Sequence, residues 1–428
     1  MASDDPDRLS PDDARILGVE SATITGQTLK LVILDPAAEP LDLEALRARV
    51  SERLGSQPRA TQRVDTSTPE PRWVEAAAFD IRDHVREHSG PDCASRADLW
   101  RIVSALMSEH LDRSRPLWTF DVIGPLEDGR QAIAARLHHA MVDGIAAVRF
   151  LDSVLFDEHA DAPPKALSAK PVDEPASSFE EVRRLPGAVI RELGHPGSRS
   201  PFDRPITIAR ELAFTGGTIA DMKAIGASRP HPATVNDVLL AVVAGGLRTW
   251  LARHDETTRH LRAQIPVSLH HRDGDASALG NHDSFMNVDL PVGEADPLVR
   301  LDLISAETRQ RKELDDADEL YDFFHALSRV KRVEKVARRL AGSAREFSLS
   351  ISNVPGPRTP VGVAGRRVRH FFTSSEPGAH HALRISAISC ACDFGIGLCV
   401  DPQALPDVAA LADAIENAYL ELRTAAEI

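Results

Sequence analysis

The chain has little cysteine, no long apolar run and no surplus of positive charge. Four cysteines in 428 residues cannot form a disulfide framework, so a reducing compartment is the default. No apolar stretch approaches the ~20 residues that cross a bilayer. The best, residues 238–246, contains two glycines, so any membrane contact is expected to be peripheral. Lys and Arg number 50 against 64 Asp and Glu, a net charge of −14. Such an acidic surface repels phosphate backbones, and no nucleic-acid partner is expected. The opening MASDDPDRLSPDD lacks the basic and apolar regions of a secretory signal. A cytoplasmic protein is expected, at most peripheral to the inner face of the membrane. There are no internal repeats and no glycine-rich loop of the kind that cradles phosphates.

What is present is an ordinary globular composition, 43% hydrophobic and 27% charged, in a chain long enough for two domains. Residues 28–34 (TLKLVIL) read as a strand, and Leu43, Leu46, Val50 and Leu54 recur at helical spacing. A second helical pattern covers residues 100–111. The short apolar run 132–137 (AIAARL) reads as a strand that leads straight into His138 and His139, then into a helix carrying Ile145, Val148, Leu151 and Leu155. From 157 to about 178 the composition turns to Pro, Ala, Ser, Asp and Glu without periodicity, the mark of a crossover. Beyond it, 205–214 is strand-like, Thr234 caps an apolar helix, and Asp296-Pro297 opens another. Runs 347–351, 367–372 and 383–400 read as strands, and a closing helix begins near Asp407. The expectation is an α/β protein in two halves: a first lobe 1–156, a crossover linker 157–204 and a second lobe 205–428.

The sharpest local feature is LHHAMVDG, residues 137–144. An imidazole at a strand end, with an ordinary pKa near ~6.5, is placed for proton transfer at neutral pH. Asp143 can neutralise a nearby Arg or hold the turn, and Gly144 permits the backbone to bend. A structural role for the histidine pair stands beside the general-base reading. Metal binding by His138, His139 and Asp143 is disfavoured, because adjacent strand residues point to opposite faces and no helical His pair or cysteine cluster is nearby.

Other features carry weaker signals. Residues 325–347 form a basic amphipathic segment, readable as a peripheral membrane or acyl-CoA phosphate contact. The preferred reading is a solvated helix whose apolar stripe packs on its own lobe. Cys390 and Cys392 fall on one face of a strand, with Cys399 beyond a turn, and read as small buried hydrophobes rather than metal ligands. His380 and His381 read as part of a polar loop and are given no role.

The wider pattern resembles the bacterial wax ester synthase/diacylglycerol acyltransferase family, within the superfamily of CoA-dependent acyltransferases that share an HHxxxDG signature. HHAMVDG, from His138 to Gly144, matches it in full. Residues 111–118 (LDRSRPLW) resemble the family's PLW block, Asn236-Asp237 its ND block, IPVS at 265–268 with Gly280-Asn281 and Leu290-Pro291 a third, and SNVPGP at 352–357 a fourth. Together with the opening LSPDDARILGVES, these span essentially the whole chain in order. Two departures bear on the acceptor rather than the chemistry. Arg384 and the Ser389–Cys392 stretch stand where the family usually carries an Asn and a Ser-Tyr turn, and His270-His271 follow the IPVS block. DFGIG at 393–397 resembles the family's Phe-Gly strand and is taken as structural.

The resemblance implies two chloramphenicol-acetyltransferase-like lobes with a tunnel between them, the histidine motif midway. It implies transfer of a fatty acyl group from acyl-CoA, a co-substrate rather than a bound cofactor, to a fatty alcohol or diacylglycerol, with contact to a membrane or lipid droplet left open. By that likeness His139 is the general base, His138 supports the turn and Asp143 is structural. Asn236, Asp237, Ser352 and Asn353 support the motif by lining the tunnel or by local capping, both readings standing. The competing readings are a smaller polar alcohol as acceptor, a catalytically silent acyl-lipid binder, and a carrier-dependent condensation enzyme.

Overall fold

The computed structural model describes residues 7–88, 95–157, 200–256, 258–268, 283–313 and 347–428. The basic segment 325–346, His270-His271 and the Gly280-Asn281 pair lie outside them.

Two six-stranded sheets organise the protein. In the first, β1 (Gln27–Leu34) and β6 (Gln131–His138) lie at the centre and are buried along their whole length, because both faces are covered. On one face Val32, Leu34, Leu137 and Phe120 pack beneath α2 (Leu43–Arg53) and α4 (Gly144–Val154). On the other, Leu29, Leu31, Ile33 and Ala134 meet α3 (Arg96–Met107). β5 (Trp118–Ile123) and β4 (Val85–Glu87) complete that side of the sheet, next to the small hairpin of β2 (Gln62–Asp65) and β3 (Arg72–Glu75). Trp118, the end of the PLW block, is fully buried and donates from Nε1 to the Ala60 carbonyl at 2.9 Å. That block is packing.

The second sheet runs β7 (Glu211–Thr218), β14 (Asp393–Val400), β13 (Leu383–Cys390), β10 (Leu349–Val354), β8 (Leu261–Ser268), β9 (Asp283–Leu290). Its outer face is covered by α5 (Ile219–Ala227), α6 (Val235–Arg253), α7 (Pro297–Glu313) and α8 (Val408–Ala425). By length and composition α6 could cross a membrane, but 72% of its apolar window is buried against its own lobe. It is a core helix.

The expected lobe boundary does not separate the sheets. After β10 the chain adds β11 (Gly362–Val363) and β12 (Arg366–Ser375) to the first sheet, then returns to β13 in the second. β12 pairs antiparallel with β1, Thr28 opposite Ser375 and Lys30 opposite Thr373. Without it the long, apolar β1 would be an open edge. Periodicity marks a strand but does not say which sheet it joins.

β12 also lies directly across β14. A Cβ on Gly395 would come within 2.3 Å of the Phe371 carbonyl oxygen, and one on Gly397 within 2.1 Å of that of Thr373. The glycines of DFGIG therefore let the two sheets touch backbone to backbone, in line with the structural role expected of that motif. Three smaller expectations change. β7 begins at Glu211 rather than near 205. The run 383–400 is a hairpin turned at Ala391 (φ 50) and Cys392, which puts Cys392 in solvent while Cys390 and Cys399 are buried. His381 is buried and stacks on Phe347 at 3.9 Å.

Candidate active site

The two histidines at the end of β6 face different surroundings, as strand alternation requires. His138 is 1% exposed and turned into the protein. Its Nδ1 accepts the Ala140 N–H at 3.0 Å, which leaves the proton on Nε2, 3.3 Å from a Glu20 carboxylate oxygen. Arg113 grips the same carboxylate. These contacts hold Glu20 below its ordinary value even though burial alone would raise it. Gly26 forms the roof over the ring, with a positive φ of 69 and a Cβ position only 2.3 Å from His138 Nε2. Any other residue there would displace the imidazole.

His139 is partly buried on the other side. Its main-chain N–H donates to Gly26 O at 2.7 Å. Burial pulls the ring down to about 3, helped by the charges of Arg384 and Lys30 and opposed by a backbone hydrogen bond with Val142. The imidazole is therefore neutral at physiological pH. Asp143 accepts from Ala146 N at 2.6 Å and caps α4, a contact typically worth ~1 kcal/mol. Gly144 brings the start of that helix against β10, its Cβ position 3.0 Å from Val354. The histidine loop thus sits at the seam between the lobes.

Across the seam, strand pairing decides which second-lobe residues face it. Ser350 lies beside Arg384, Ser352 beside Ser386 and Val354 beside Ile388. Ile388 and Val354 pack into the first lobe's core, whereas Leu349, Ile351, Ile385 and Ala387 belong to the second. Alternation therefore puts Arg384, Ser386, Ser350 and Ser352 on the face toward His139, with Ser352 Oγ 3.2 Å from Ser386 Oγ. Asn353 alternates away and is exposed. Asp237 is 2% exposed and fully engaged: it forms a capping box with Thr234 and accepts from Thr308 Oγ1 at 2.7 Å. Asn236, on the first turn of the same helix, is partly buried. Among the described residues no cluster of His, Cys, Asp and Glu is arranged to hold a metal ion.

Two groups escaped notice in the sequence. Lys30, the one charge in the apolar run of β1, is buried against β12 and pulled to about 7 by loss of solvent. Glu376, just past β12, accepts Thr25 N at 2.8 Å, Thr25 Oγ1 at 3.1 Å and Gly26 N, and lies 3.4 Å from Arg210 Nη2. It holds the loop on which both histidines rest. A lone lysine inside TLKLVIL was a visible signal; nothing local marks Glu376.

Residues 9–195 match the family described as wax ester synthase/diacylglycerol acyltransferase catalytic domain, and residues 279–423 match its C-terminal domain. The chain belongs to the wax ester synthase/diacylglycerol acyltransferase family. A probable diacylglycerol O-acyltransferase of Mycobacterium tuberculosis is 27% identical over 410 residues, 89% of this chain and 88% of that one. The O-acyltransferase WSD of Acinetobacter baylyi is 27% identical over 377 residues, 81% of each chain. Among solved structures, the wax ester synthase/diacylglycerol acyltransferase from Marinobacter aquaeolei superposes with a TM-score of 0.75 at 23% identity, over 99% of this chain and all of that one. A trichothecene 15-O-acetyltransferase from Fusarium sporotrichioides reaches 0.63 at 12% identity, over 97% and 94%. These superpositions speak to the two-lobed fold alone.

Proposed function

We propose that the protein is an acyl-CoA-dependent O-acyltransferase that moves a fatty acyl group onto a long-chain alcohol or diacylglycerol, with His139 as general base. The observation that carries the reading is the contrast between adjacent histidines. His138 is locked by Ala140, Glu20 and Gly26, while His139 is neutral and opens on the seam. The acceptor hydroxyl gives its proton to His139 as its oxygen attacks the thioester carbon. The tetrahedral intermediate then collapses, the C–S bond breaks, and the CoA thiolate takes the proton back from the imidazolium. No acyl-enzyme is required. Proton transfer of this kind is typically worth ~10²–10⁴-fold in rate. The low basicity of His139 suits the second half of the cycle, because the imidazolium gives up its proton readily. Holding both substrates in one seam supplies the orientation. Asp143 and Glu376 are positioning residues, the first through α4 and the second through the 25–26 loop. A cytoplasmic enzyme at the inner face of a membrane or droplet goes with lipid acceptors, and family membership is its support.

The test is CoA release from palmitoyl-CoA by the purified protein with hexadecanol, a diacylglycerol or no acceptor, beside His139→Ala. Release that needs a lipid acceptor and disappears in the variant is expected. Release indifferent to His139 overturns the assignment of the base. Tight acyl-CoA binding without release under any condition points to a silent binder.

A further inference from the structure

Lys30 is 1% exposed, and its ammonium donates to Thr28 Oγ1 at 3.2 Å and Thr373 Oγ1 at 2.8 Å. Both partners are neutral hydroxyls, and among the described residues no carboxylate lies within ion-pairing distance of it. Asp143 reaches it only through its field, and Arg384 adds a second positive charge nearby. A buried cation whose contacts are hydroxyls rather than an anion loses several kcal/mol of solvation, and such charges are ordinarily paired. An apolar side chain would serve a neutral lipid better at this position, after which the strand continues with Leu, Val and Ile alone.

Lys30 also lies on the reactive side of the sheet. Thr28 and Lys30 share the face of β1 opposite Leu29 and Leu31, and Thr28 pairs with Leu137, two residues before His139. The ammonium bends back toward Thr28, hence toward the histidine end of the strand. Thr28 Oγ1 in turn lies 3.2 Å from Ser375 Oγ, so hydroxyl groups surround the charge. A cavity of about 720 Å³ with a mixed wall, Leu31, Ile33 and Phe214 beside Arg96, Arg130 and His370, lies on the other face of β1.

We propose that the site has a further activity, acylation of alcohols that also carry a carboxylate or phosphate, with Lys30 holding the anionic group and Arg384 adding its charge. The proposal rests on the acyl-transfer reading and keeps its bond changes: the new ester C–O bond forms, the thioester C–S bond breaks, and the hydroxyl proton passes through His139 to the CoA thiolate. An anion seated on Lys30 would also offset the two charges that hold the His139 ring down, so the substrate itself would strengthen the base.

The test compares matched acceptors with palmitoyl-CoA as donor, in wild type, Lys30→Met and Lys30→Arg. One pair is 3-hydroxyhexadecanoate against 1,3-hexadecanediol, the other a 1-acylglycerol 3-phosphate against the 1-acylglycerol. The anionic member of one pair is expected to show kcat/KM about tenfold or more above its neutral partner, the scale of one charge-assisted hydrogen bond. Which pair shows it distinguishes carboxylate from phosphate. The ratio should collapse toward one in Lys30→Met and survive in Lys30→Arg. A wild-type ratio of one or less in both pairs overturns the proposal, as does a ratio that Lys30→Met leaves untouched. Should Lys30→Met fail to fold, the wild-type ratios and Lys30→Arg decide. Turnover of hexadecanol alone sinks this proposal and leaves the acyl-transfer reading standing, whereas no turnover of any acceptor sinks that reading first.

Discussion

On one side of the first sheet, around His138, charges are paired: Glu20 with Arg113 and the imidazole, Glu376 with Arg210 as well as Thr25 and Gly26, even though Gln27 Oε1, His138 Nε2 and Arg210 Nε have no hydrogen-bond partner. On the other side, around His139, Lys30 has hydroxyls for partners and the imidazole stays neutral beside two cations. The two sides are separated by the thickness of a strand and by one residue of sequence. Paired charges hold a shape, and a charge set among hydroxyls leaves something for a substrate to complete.

The sharpest way to break the comparison is to mutate both histidines in turn. His139→Ala should lower kcat by ~10²–10⁴-fold while the melting temperature moves by no more than about 2 °C. His138→Ala should do the reverse in emphasis, exposing a buried carboxylate site to loss of its partner at about 1–3 kcal/mol, read as a clear fall in Tm. Equal effects of the two on both readouts would abolish the distinction. Next comes the strand crossing that holds the sides in register. Gly397→Ala puts a methyl group against the Thr373 carbonyl, where backbone must move, and should cost about 1–3 kcal/mol or more in urea unfolding. An unfolding midpoint equal to wild type would show that the sheets are not held that closely.

Glu376→Gln keeps the size and removes the charge that gathers the 25–26 loop. A roughly tenfold fall in kcat with KM little changed, alongside Tm loss smaller than that of His138→Ala, would mark it as a residue that aims His139 rather than one that merely stabilises. The smallest effect is electrostatic. Glu20 titrates below its ordinary 4.5 in the folded protein, so its pairing contributes in full above about pH 4.5 and is lost as the pH falls through the lower folded value. Glu20→Gln should therefore be modestly less stable than wild type near neutrality and show a shallower acid limb, the two converging at low pH.

Much of this was legible beforehand, for physical reasons that differ by element. β6, the histidine pair and the capping aspartate are local: a buried strand, a tight turn and an N-cap follow one another within fourteen residues, Gln131–Gly144 by sequence, and each leaves its own mark. The capping box of α6 was equally visible at Thr234. The sheet that β12 joins was not, because its partner β1 lies more than three hundred residues away and hydrogen-bond pairing leaves no periodicity. Glu376 is hidden for the same reason. Cys392 was placed on the strand with Cys390 because alternation alone does not show that the turn before Cys399 falls at residues 391–392. Lys30 stood in plain view inside an apolar strand, yet without the fold there was no way to see that its side faces His139.

The strand exchanged between the sheets has a consequence for inheritance and engineering. Cutting the chain after Asp157 would yield one fragment with the long edge of β1 bare and another with a strand that has no sheet to enter. Neither half is a finished object. The two would be soluble together and sticky apart, and their recombination would be a bimolecular reaction whose rate depends on concentration. A lobe of this protein cannot be borrowed singly by another; it has to travel with its counterpart.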